Sequence, residues 1–329
     1  LLISGITFAQ DLTLTQFQNS PTYLNPAFTG NKSLHRVSLG YRNQWPGLKK
    51  SFTSYLLTYD YSLSRYKSGI GLIAMQDKAG ASKLTNTKIG LNYSYVLPLD
   101  GGMTLRMGLQ ACFNQKKNDL QSLVFSDQII TGSTSLDVLN HANGSVNYFD
   151  VGTGLLLESN DFWFSVSALH LNQPKNNWWG TEDVLQMLIS STGGYHYSIA
   201  KDEATQKPSH RVSASYHYRH QGVNDQLDLG VSHFYKFIDF GIWYRGVPFK
   251  TFNSSLTGSE SIAFVLAYEP LKGGYRIGYS FDLTISNLGL SSTNGTHEIG
   301  LSYEIGSKKP AKRRARNTIG GGTEGPVKL

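Results

Sequence analysis

Alternation of apolar and polar residues over unusually long segments is the feature that most limits what this chain can fold into. Residues 103–114 place Met, Leu, Met, Leu, Ala and Phe on one face of an extended strand, opposite Thr, Arg, Gly, Gln, Cys and Asn. Residues 211–219 and 275–284 repeat this pattern. A period of two predicts strands with one apolar face, and these segments exceed the roughly 5 to 6 residues of a typical globular strand.

The polar faces of these strands are rich in Gly, Ser, Arg and Asp, which suits a crowded polar lumen better than a face open to bulk water. Membrane-spanning strands need about 9 to 11 residues, and spanning helices need about 20 apolar residues, which this sequence lacks. Charged residues make up only 16% of the chain, against about 25% in soluble domains. Because every backbone polar group inside a bilayer must be paired, such strands can only close into a ring. We therefore predict an all-β, transmembrane, antiparallel up-and-down β-barrel of about 14 strands.

The candidate strands are even in number, as expected of a bacterial barrel built from a single chain. They are residues 34–44, 52–61, 69–76, 87–96, 103–115, 146–158, 162–171, 189–199, 211–219, 226–235, 237–245, 261–269, 273–285 and 296–305. The connections between them alternate between short, as at 270–272, and long, as at 116–145. Since short turns of such barrels face the periplasm and long loops face outside, we expect an outer-membrane protein with both termini in the periplasm.

Four regions follow from this reading. Residues 1–9, LLISGITFA, resemble the end of a secretory signal peptide, and residues 10–33 are predicted to form a periplasmic or plug segment ahead of the barrel at 34–306. Residues 307–329 form a basic tail without apolar periodicity. This tail carries six of the seven net positive charges, so the rest of the chain is nearly neutral and a nucleic-acid-binding face is disfavoured.

The basic tail is either simply solvated or docks to an acidic periplasmic protein or to anionic lipid. The candidate docking residues are Lys308, Lys309, Lys312, Arg313, Arg314 and Arg316.

No pattern in the chain indicates catalysis, a cofactor or a metal. His210, His217 and His220 alternate between strand faces and lack Cys or carboxylate residues at ligand spacing. The glycines of 69–71 and 152–154 do not open a helix, so we interpret them as residues that leave room in the lumen rather than as phosphate-binding loops. A serine hydrolase is disfavoured because no nucleophile elbow surrounds His141, Asn143 and Ser145.

Charged residues on the polar strand faces would meet inside the barrel, either as a permeation path or as a salt-bridge network that closes it. They include Arg36, Arg42, Asp60, Arg106, Asp150, Arg276, Asp282 and Glu298. For Trp45, Trp163 and Trp243 we favour an aromatic girdle at the membrane surface over a protein-binding patch. Trp178 and Trp179 fall within a predicted loop instead.

The N-terminal region carries a specific resemblance. Gln16-Phe17, Pro21, the run Tyr23-Leu24-Asn25-Pro26-Ala27 and Gly30 are followed by YRNQWP at 41–46. Further matching residues follow at Phe52, Tyr55, 59–60, 69–72, 77–80, 150–154, 170–174, 279–282 and 297–299. This set, which extends to Tyr303, resembles the PorP/SprF family of outer-membrane proteins associated with type IX secretion and gliding motility.

The resemblance implies a non-enzymatic barrel that supports secretion or surface attachment of exported proteins such as adhesins; the alternative is a passive porin or solute channel, and a soluble β-sandwich ranks last. Expected partners are type IX secretion components or an exported adhesin, together with outer-membrane lipids. Because Pro21 and Pro26 lack backbone donors, residues 16–30 cannot join the strand ladder well, and we expect them to plug the lumen or to contact a partner. The candidate plug or partner contacts are Pro21, Leu24, Asn25, Pro26, Arg42, Asn43, Gln44, Trp45, Trp178 and Trp179.

Overall fold

A computed structural model describes most of the chain. The described residues are 11–31, 33–48, 51–80, 84–118, 144–175, 184–203, 208–251, 257–271, 273–286 and 288–307. The predicted signal peptide at 1–9, the tryptophan pair at 178–179 and the basic tail from 308 onwards lie outside these residues.

Fourteen strands of the described chain form one closed antiparallel barrel, in which each strand pairs with its neighbours in sequence and the first pairs with the last. They are β1 (Ser33–Gln44), β2 (Phe52–Leu63), β3 (Ser68–Ala79), β4 (Leu84–Pro98), β5 (Thr104–Lys117), β6 (Ser145–Glu158), β7 (Phe162–Leu169), β8 (Leu188–Lys201), β9 (Pro208–Gln221), β10 (Asn224–Tyr235), β11 (Ile238–Thr251), β12 (Thr257–Tyr268), β13 (Tyr275–Thr284) and β14 (Thr296–Ser307). The predicted fold class and strand count are confirmed.

The two faces of each strand follow the alternation in the sequence. On β5, Met107, Leu109 and Phe113 point outward, whereas Arg106 and Asn114 are buried inside. Near one rim, tyrosines rather than tryptophans form the outward aromatic belt expected at a membrane interface. They include Tyr59, Tyr93, Tyr95, Tyr197, Tyr235, Tyr268, Tyr275 and Tyr303.

The barrel has two distinct ends. The end at which β1 begins and β14 finishes carries short connections, such as those at 99–103 and 236–237, and is called the turn end here. The opposite end carries the long connections at 118–144 and 170–187 and is called the loop end. Alternation in length is not strict, because at the loop end β3 and β4 are joined by the short connection 80–83, and β9 and β10 by the two residues Gly222 and Val223.

Residues 11–31, called the luminal segment, run through the inside of the barrel before β1 begins. Three short helical turns, Phe17–Asn19, Pro21–Leu24 and Pro26–Phe28, shape this segment. A proline opens the second and third turns, where a missing backbone N–H costs nothing and the fixed φ suits a helix. Among the described residues, no helix is long and apolar enough to cross a membrane.

An apolar cluster inside the barrel holds the middle of the luminal segment. Its members are Leu14, Phe17, Tyr23 and Leu24 of the segment and Leu56, Ile73, Met75, Trp243, Ala263 and Val265 of the wall. Trp243 contacts Phe17 edge to face, with 5.0 Å between ring centroids. The expectation that Trp243 belongs to an outer girdle is therefore wrong, because its position on β11 has the parity of the lumen.

The luminal segment crosses the barrel from the loop end to the turn end. Its first residue, Asp11, is hydrogen-bonded to Gln221 at the loop end of β9. Its last, Asn31, donates to Glu158 at the turn end of β6. Within the described residues, β14 therefore finishes at the turn end, whereas Asp11, ahead of β1, lies at the loop end.

Because the outward face of the barrel is apolar, we expect the loss of stability caused by a charged substitution to depend on the depth of that position in the membrane. Leu91, at the middle of β4, and Val223, in the loop-end turn, are both 66% exposed. We expect Leu91→Arg to lower the free energy of unfolding in lipid vesicles by about 2 to 4 kcal/mol, whereas Val223→Arg should cost roughly 0 to 1 kcal/mol because it lies outside the hydrocarbon. Denaturant titration in vesicles measures both variants. Equal effects would contradict a membrane around the middle of the barrel.

Candidate functional site

The candidate functional site is the lumen, where the luminal segment meets buried polar side chains of the wall. These side chains come from strands on all sides of the barrel, so that only closure of the sheet brings them together. The contacts fall into three groups, which lie around Thr15 and Gln16, around Asp11 at the loop end, and from Asn25 toward the turn end.

The first group is a buried cluster of charges, called the ion cluster and formed by Arg42, Asp228, Arg245, Asp282 and Glu298. Arg42 pairs with Asp282 at 3.2 Å and with Glu298 at 3.0 Å. Arg245 pairs with Asp282 at 2.7 Å and with Asp228 at 3.5 Å. All five side chains are almost completely buried, and their mutual pairing offsets part of the cost of removing them from water.

Thr15 and Gln16 of the luminal segment complete the ion cluster. The Thr15 hydroxyl donates to Asp282 and accepts from Arg42 and Arg245, each at 2.8 Å from the guanidinium nitrogen. The backbone N–H groups of Thr15 and Gln16 donate to the two carboxylate oxygens of Glu298, at 2.8 and 2.9 Å. Hydrogen bonds to charged groups contribute about 1.5 to 3 kcal/mol each, so this short stretch is a strong attachment point.

The second group surrounds Asp11 at the loop end. His170, which follows β7 and has a positive φ of 59°, lies between the carboxylates of Asp11 and Asp150, with its Nδ1 at 2.8 Å from Asp150. Burial alone would lower the pKa of His170, but the adjacent carboxylates outweigh burial and raise it to about 9. The imidazolium is therefore the favoured form at neutral pH. Arg219 adds hydrogen bonds to the Asp11 carbonyl and the Thr13 hydroxyl.

The third group explains the Leu-Asn-Pro-Ala motif. The Asn25 side chain accepts from Ala27 N–H and so caps the helical turn that Pro26 begins. Its amide also donates to the backbone carbonyls of Leu155 on β6 and Val166 on β7, each at 3.0 Å. One side chain thus shapes the segment and binds it to two strands.

Arg106 and two glycines fix the segment toward the turn end. Arg106 donates to the carbonyls of Ala27 and Thr29. A Cβ atom on Gly108 would lie 2.2 Å from the backbone nitrogen of Ala27, and one on Gly154 would lie 2.0 Å from Asn25. Gly69, Gly71 and Gly154 agree with the interpretation that these glycines leave room in the lumen, and at these three positions the luminal segment occupies that room. A Cβ atom on Gly152 would instead meet Leu169 of β7.

A cavity of about 250 Å³ lies between the luminal segment and the turn end. Its lining mixes aromatic side chains with both signs of charge and includes Phe17, Phe28, Trp163, Arg211, Asp239 and Glu304. Trp163 stacks on His196 with 4.5 Å between ring centroids. Its side chain therefore belongs to the lumen face, and its assignment to an outer girdle is wrong, since Ser165 and Ser167 on the same face of β7 are buried inside.

The predicted contact residues divide into two sets. Pro21, Leu24, Asn25 and Pro26 are buried within the lumen, and Arg42 reaches the segment through Thr15. Asn43 and Gln44 end β1 at the loop end, and Trp45 follows them with its ring edge-on to Phe52. No described contact joins the side chains of Asn43, Gln44 and Trp45 to the luminal segment. The remaining predicted residues, Trp178, Trp179 and the six basic residues of the tail, lie outside the described part of the chain.

Several residues of the site were not singled out from sequence. The eight predicted luminal charges lie on the inner face, as does Arg219, which the alternation of residues 211–219 places on the polar face, but Asp228 and Arg245 on β10 and β11 were missed, as was Thr15. Strand parity could have found Asp228 and Arg245, because each alternates with outward apolar residues. No local sequence pattern distinguishes Thr15. Except for Arg42, the side chains that its hydroxyl contacts are more than two hundred residues away in the sequence. Within the described residues, no group of three or more His, Cys, Asp or Glu side chains is placed to hold a metal ion.

Solved structures similar to this chain are outer-membrane barrels. The toluene transporter TbuX of Ralstonia pickettii shares 10% identity, with 86% of this chain and 93% of that chain covered and a TM-score of 0.48. Omp33 of Acinetobacter baumannii shares 9% identity over 84% of this chain and 100% of that chain, with a TM-score of 0.44. The likeness is one of general barrel architecture.

Sequence comparison is more specific. The family model for the type IX secretion system membrane protein PorP/SprF matches residues 6–303, which include the luminal segment and nearly all of the barrel. A search among curated proteins gave no significant match.

Because the luminal segment lies so close to β5, a side chain at position 108 should destabilise the protein. We expect Gly108→Ala to lower the free energy of unfolding in detergent by about 1 to 3 kcal/mol, because the new methyl group would collide with backbone rather than with a flexible side chain. Gly40→Ala is the matched control, since a Cβ there lies at an ordinary 3.6 Å from Leu56. Equal unfolding midpoints for the two variants would contradict the packing described.

Proposed function

Because the chain belongs to the PorP/SprF family of type IX secretion system membrane proteins, we propose that it is a non-enzymatic outer-membrane scaffold. In this role it supports secretion or cell-surface attachment of proteins exported by that system, for which gliding adhesins are the first candidates. The observation that carries the proposal is the luminal segment, which is bound along its length to the barrel wall and occupies the path that a porin would leave open.

Three features of the lumen support a scaffold over a passive channel. The segment is bound at the loop end through Asp11, just inside the loop end by Thr15 and Gln16, and toward the turn end through Asn25 and Arg106. The apolar cluster around Phe17 and Trp243 packs the segment against the wall between these polar contacts. Steady passage of solutes would require displacement of the segment, which would remove the hydrogen bonds that Thr15 and Gln16 make to the ion cluster, each contributing about 1.5 to 3 kcal/mol.

Barrel geometry also suggests where partners bind. In bacterial outer-membrane barrels the short turns face the periplasm, which would direct the basic tail after Ser307 toward periplasmic components or anionic lipid. The loop end would then face the cell exterior with the connection of residues 170–187, which contains Trp178 and Trp179. We propose this connection as the contact for an exported protein, because tryptophans are frequent binding hot spots.

Conductance separates a scaffold from a porin. We expect the wild-type protein to give almost no steady current in planar bilayers, and deletion of residues 16–30 to raise the current severalfold. Thr15→Val should cause intermittent openings, because it removes the hydroxyl that Asp282, Arg42 and Arg245 share. Ser38→Ala, which changes another buried luminal hydroxyl, is the control. A large steady current from the wild type, together with no protein partner in a pull-down from solubilised outer membranes, would favour the porin.

Surface display tests the proposed partner site. Replacing both Trp178 and Trp179 by alanine should reduce cell-surface display of the exported partner by about tenfold or more, as expected if a hot spot of about 2 kcal/mol is lost. Val223→Ser, an exposed substitution at the same end of the barrel, should leave display unchanged. Barrel assembly is checked for each variant by heat-modifiable gel migration. Normal display by an assembled double alanine variant would rule out this site.

A further inference from the structure

At the turn end, the luminal segment occupies only one side of the barrel. There the backbone carbonyl of Thr29 accepts from Ser94 on β4 and from Arg106 on β5. Strands on the other side, from β7 round to β14 and β1, line the cavity of about 250 Å³. Ser159 and Pro270, which belong to short turn-end connections, also line it, so the cavity has its mouth at this end.

Several buried polar atoms around this cavity lack partners. The side chains of Asn19, Arg36 and Asp239 are more than nine-tenths buried. Nevertheless, Asn19 Oδ1, Arg36 Nη2 and Asp239 Oδ1 have no hydrogen-bond partner among the described residues, and the same is true of Arg211 Nε and Arg276 Nη1. Because unpaired buried polar groups are rare in native proteins, such a cluster indicates that something else binds to them.

The chemistry of these atoms favours a peptide as the ligand. They comprise donors on the arginines and acceptors on Asn19 and Asp239, whereas an inorganic anion offers mainly acceptors. Each residue of a peptide offers one N–H donor and one carbonyl acceptor. The lining holds three arginines and four carboxylates, a near balance that disfavours a highly charged ligand.

The floor of the cavity suits an apolar side chain. Phe17, Leu24 and Phe28 of the luminal segment supply apolar surface there. Trp163 is already stacked on His196 within the wall, which disfavours a sugar ring stacked on it. Pockets for whole small molecules measure about 300 to 1,000 Å³, so this smaller cavity fits one part of a larger partner.

Two carboxylates lie near the mouth. Glu269, directly after β12, has a side chain that is 43% exposed and pairs with Arg276 at 3.6 Å. Glu304 lies on β14, three residues before its end. Their negative charge favours a basic residue of the partner beside the mouth.

We propose that the turn-end cavity is a docking site for a peptide segment of a periplasmic protein, which inserts one large apolar residue and places a neighbouring basic residue against Glu304. Arg211 and Asp239 bind the main chain of the inserted residue. The periplasmic location of the partner rests on the proposed function, whereas the site itself rests on the cavity and its unpaired polar atoms.

Short synthetic peptides test the site on the full-length protein in detergent. The probe is Gly-Phe-Lys-Gly with both ends blocked, and two comparison peptides replace its Phe by Ser or its Lys by Glu. We expect loss of the Phe side chain to weaken binding about tenfold or more, because its burial in the cavity supplies most of the affinity. The Glu peptide should bind severalfold more weakly than the probe. Isothermal titration calorimetry measures each dissociation constant, with inorganic phosphate as a test for a simple anion site.

Variants of β14 locate the binding. Ser302→Trp fills part of the cavity and should abolish binding of the probe, whereas Tyr303→Trp, on the outward face of the same strand, should leave it unchanged. Glu304→Gln should weaken binding of the probe severalfold but not binding of the Glu peptide. Heat-modifiable gel migration checks assembly, and Glu304→Gln decides the matter if Ser302→Trp does not assemble.

Three results would overturn the docking site: no binding of the probe to the wild type, equal affinity for all three peptides, or undiminished binding by an assembled Ser302→Trp variant. The cavity would then hold water only, or an anion if phosphate binds in place of the peptide. These measurements use purified protein and do not depend on membrane orientation or on secretion. Failure of the scaffold function is recognised separately, by a large steady current from the wild type in planar bilayers.

Discussion

Closure of the sheet is the constraint on which the rest of this structure depends. Strands surrounded by hydrocarbon cannot leave backbone N–H and C=O groups unpaired, so β1 must pair with β14. Closure turns the outward residues of every strand into a continuous apolar band and forces the opposite residues into a common interior. The side chains of Arg42, Arg245 and Asp282, which are far apart in the sequence, meet only because the ring is closed.

An interior built in this way has to be hydrated or filled, and here the chain fills it with its own residues. The luminal segment supplies hydrogen-bond donors and acceptors at the positions where the wall buries charge, most densely at Thr15 and Gln16. Apolar side chains occupy the space between these polar contacts. The segment directly precedes β1, and the pairing of β1 with β14 closes the ring around it.

Much of this arrangement could be predicted from the sequence, and the reason is periodicity. Strand faces are set by a local pattern with a period of two, so the buried position of Arg42, Arg106 and Asp282 followed from parity. Tryptophans were assigned less well: Trp163 and Trp243 were expected at the membrane surface and lie inside. Residue type suggested a girdle, but parity on β7 and β11 decided the face, and tyrosines supply the outward belt instead.

The sequence by itself determined the closed antiparallel barrel, its strand number and the two faces of each strand, because these depend on local alternation and on the need to pair every backbone group. Only the tertiary structure decided that residues 11–31 run from the loop end to the turn end through the lumen, and which side chains hold them there. No periodic pattern encodes contacts such as Thr15 with Asp282 or Asn25 with Val166. They arise because closure brings distant strands around one segment that is not itself paired into the sheet.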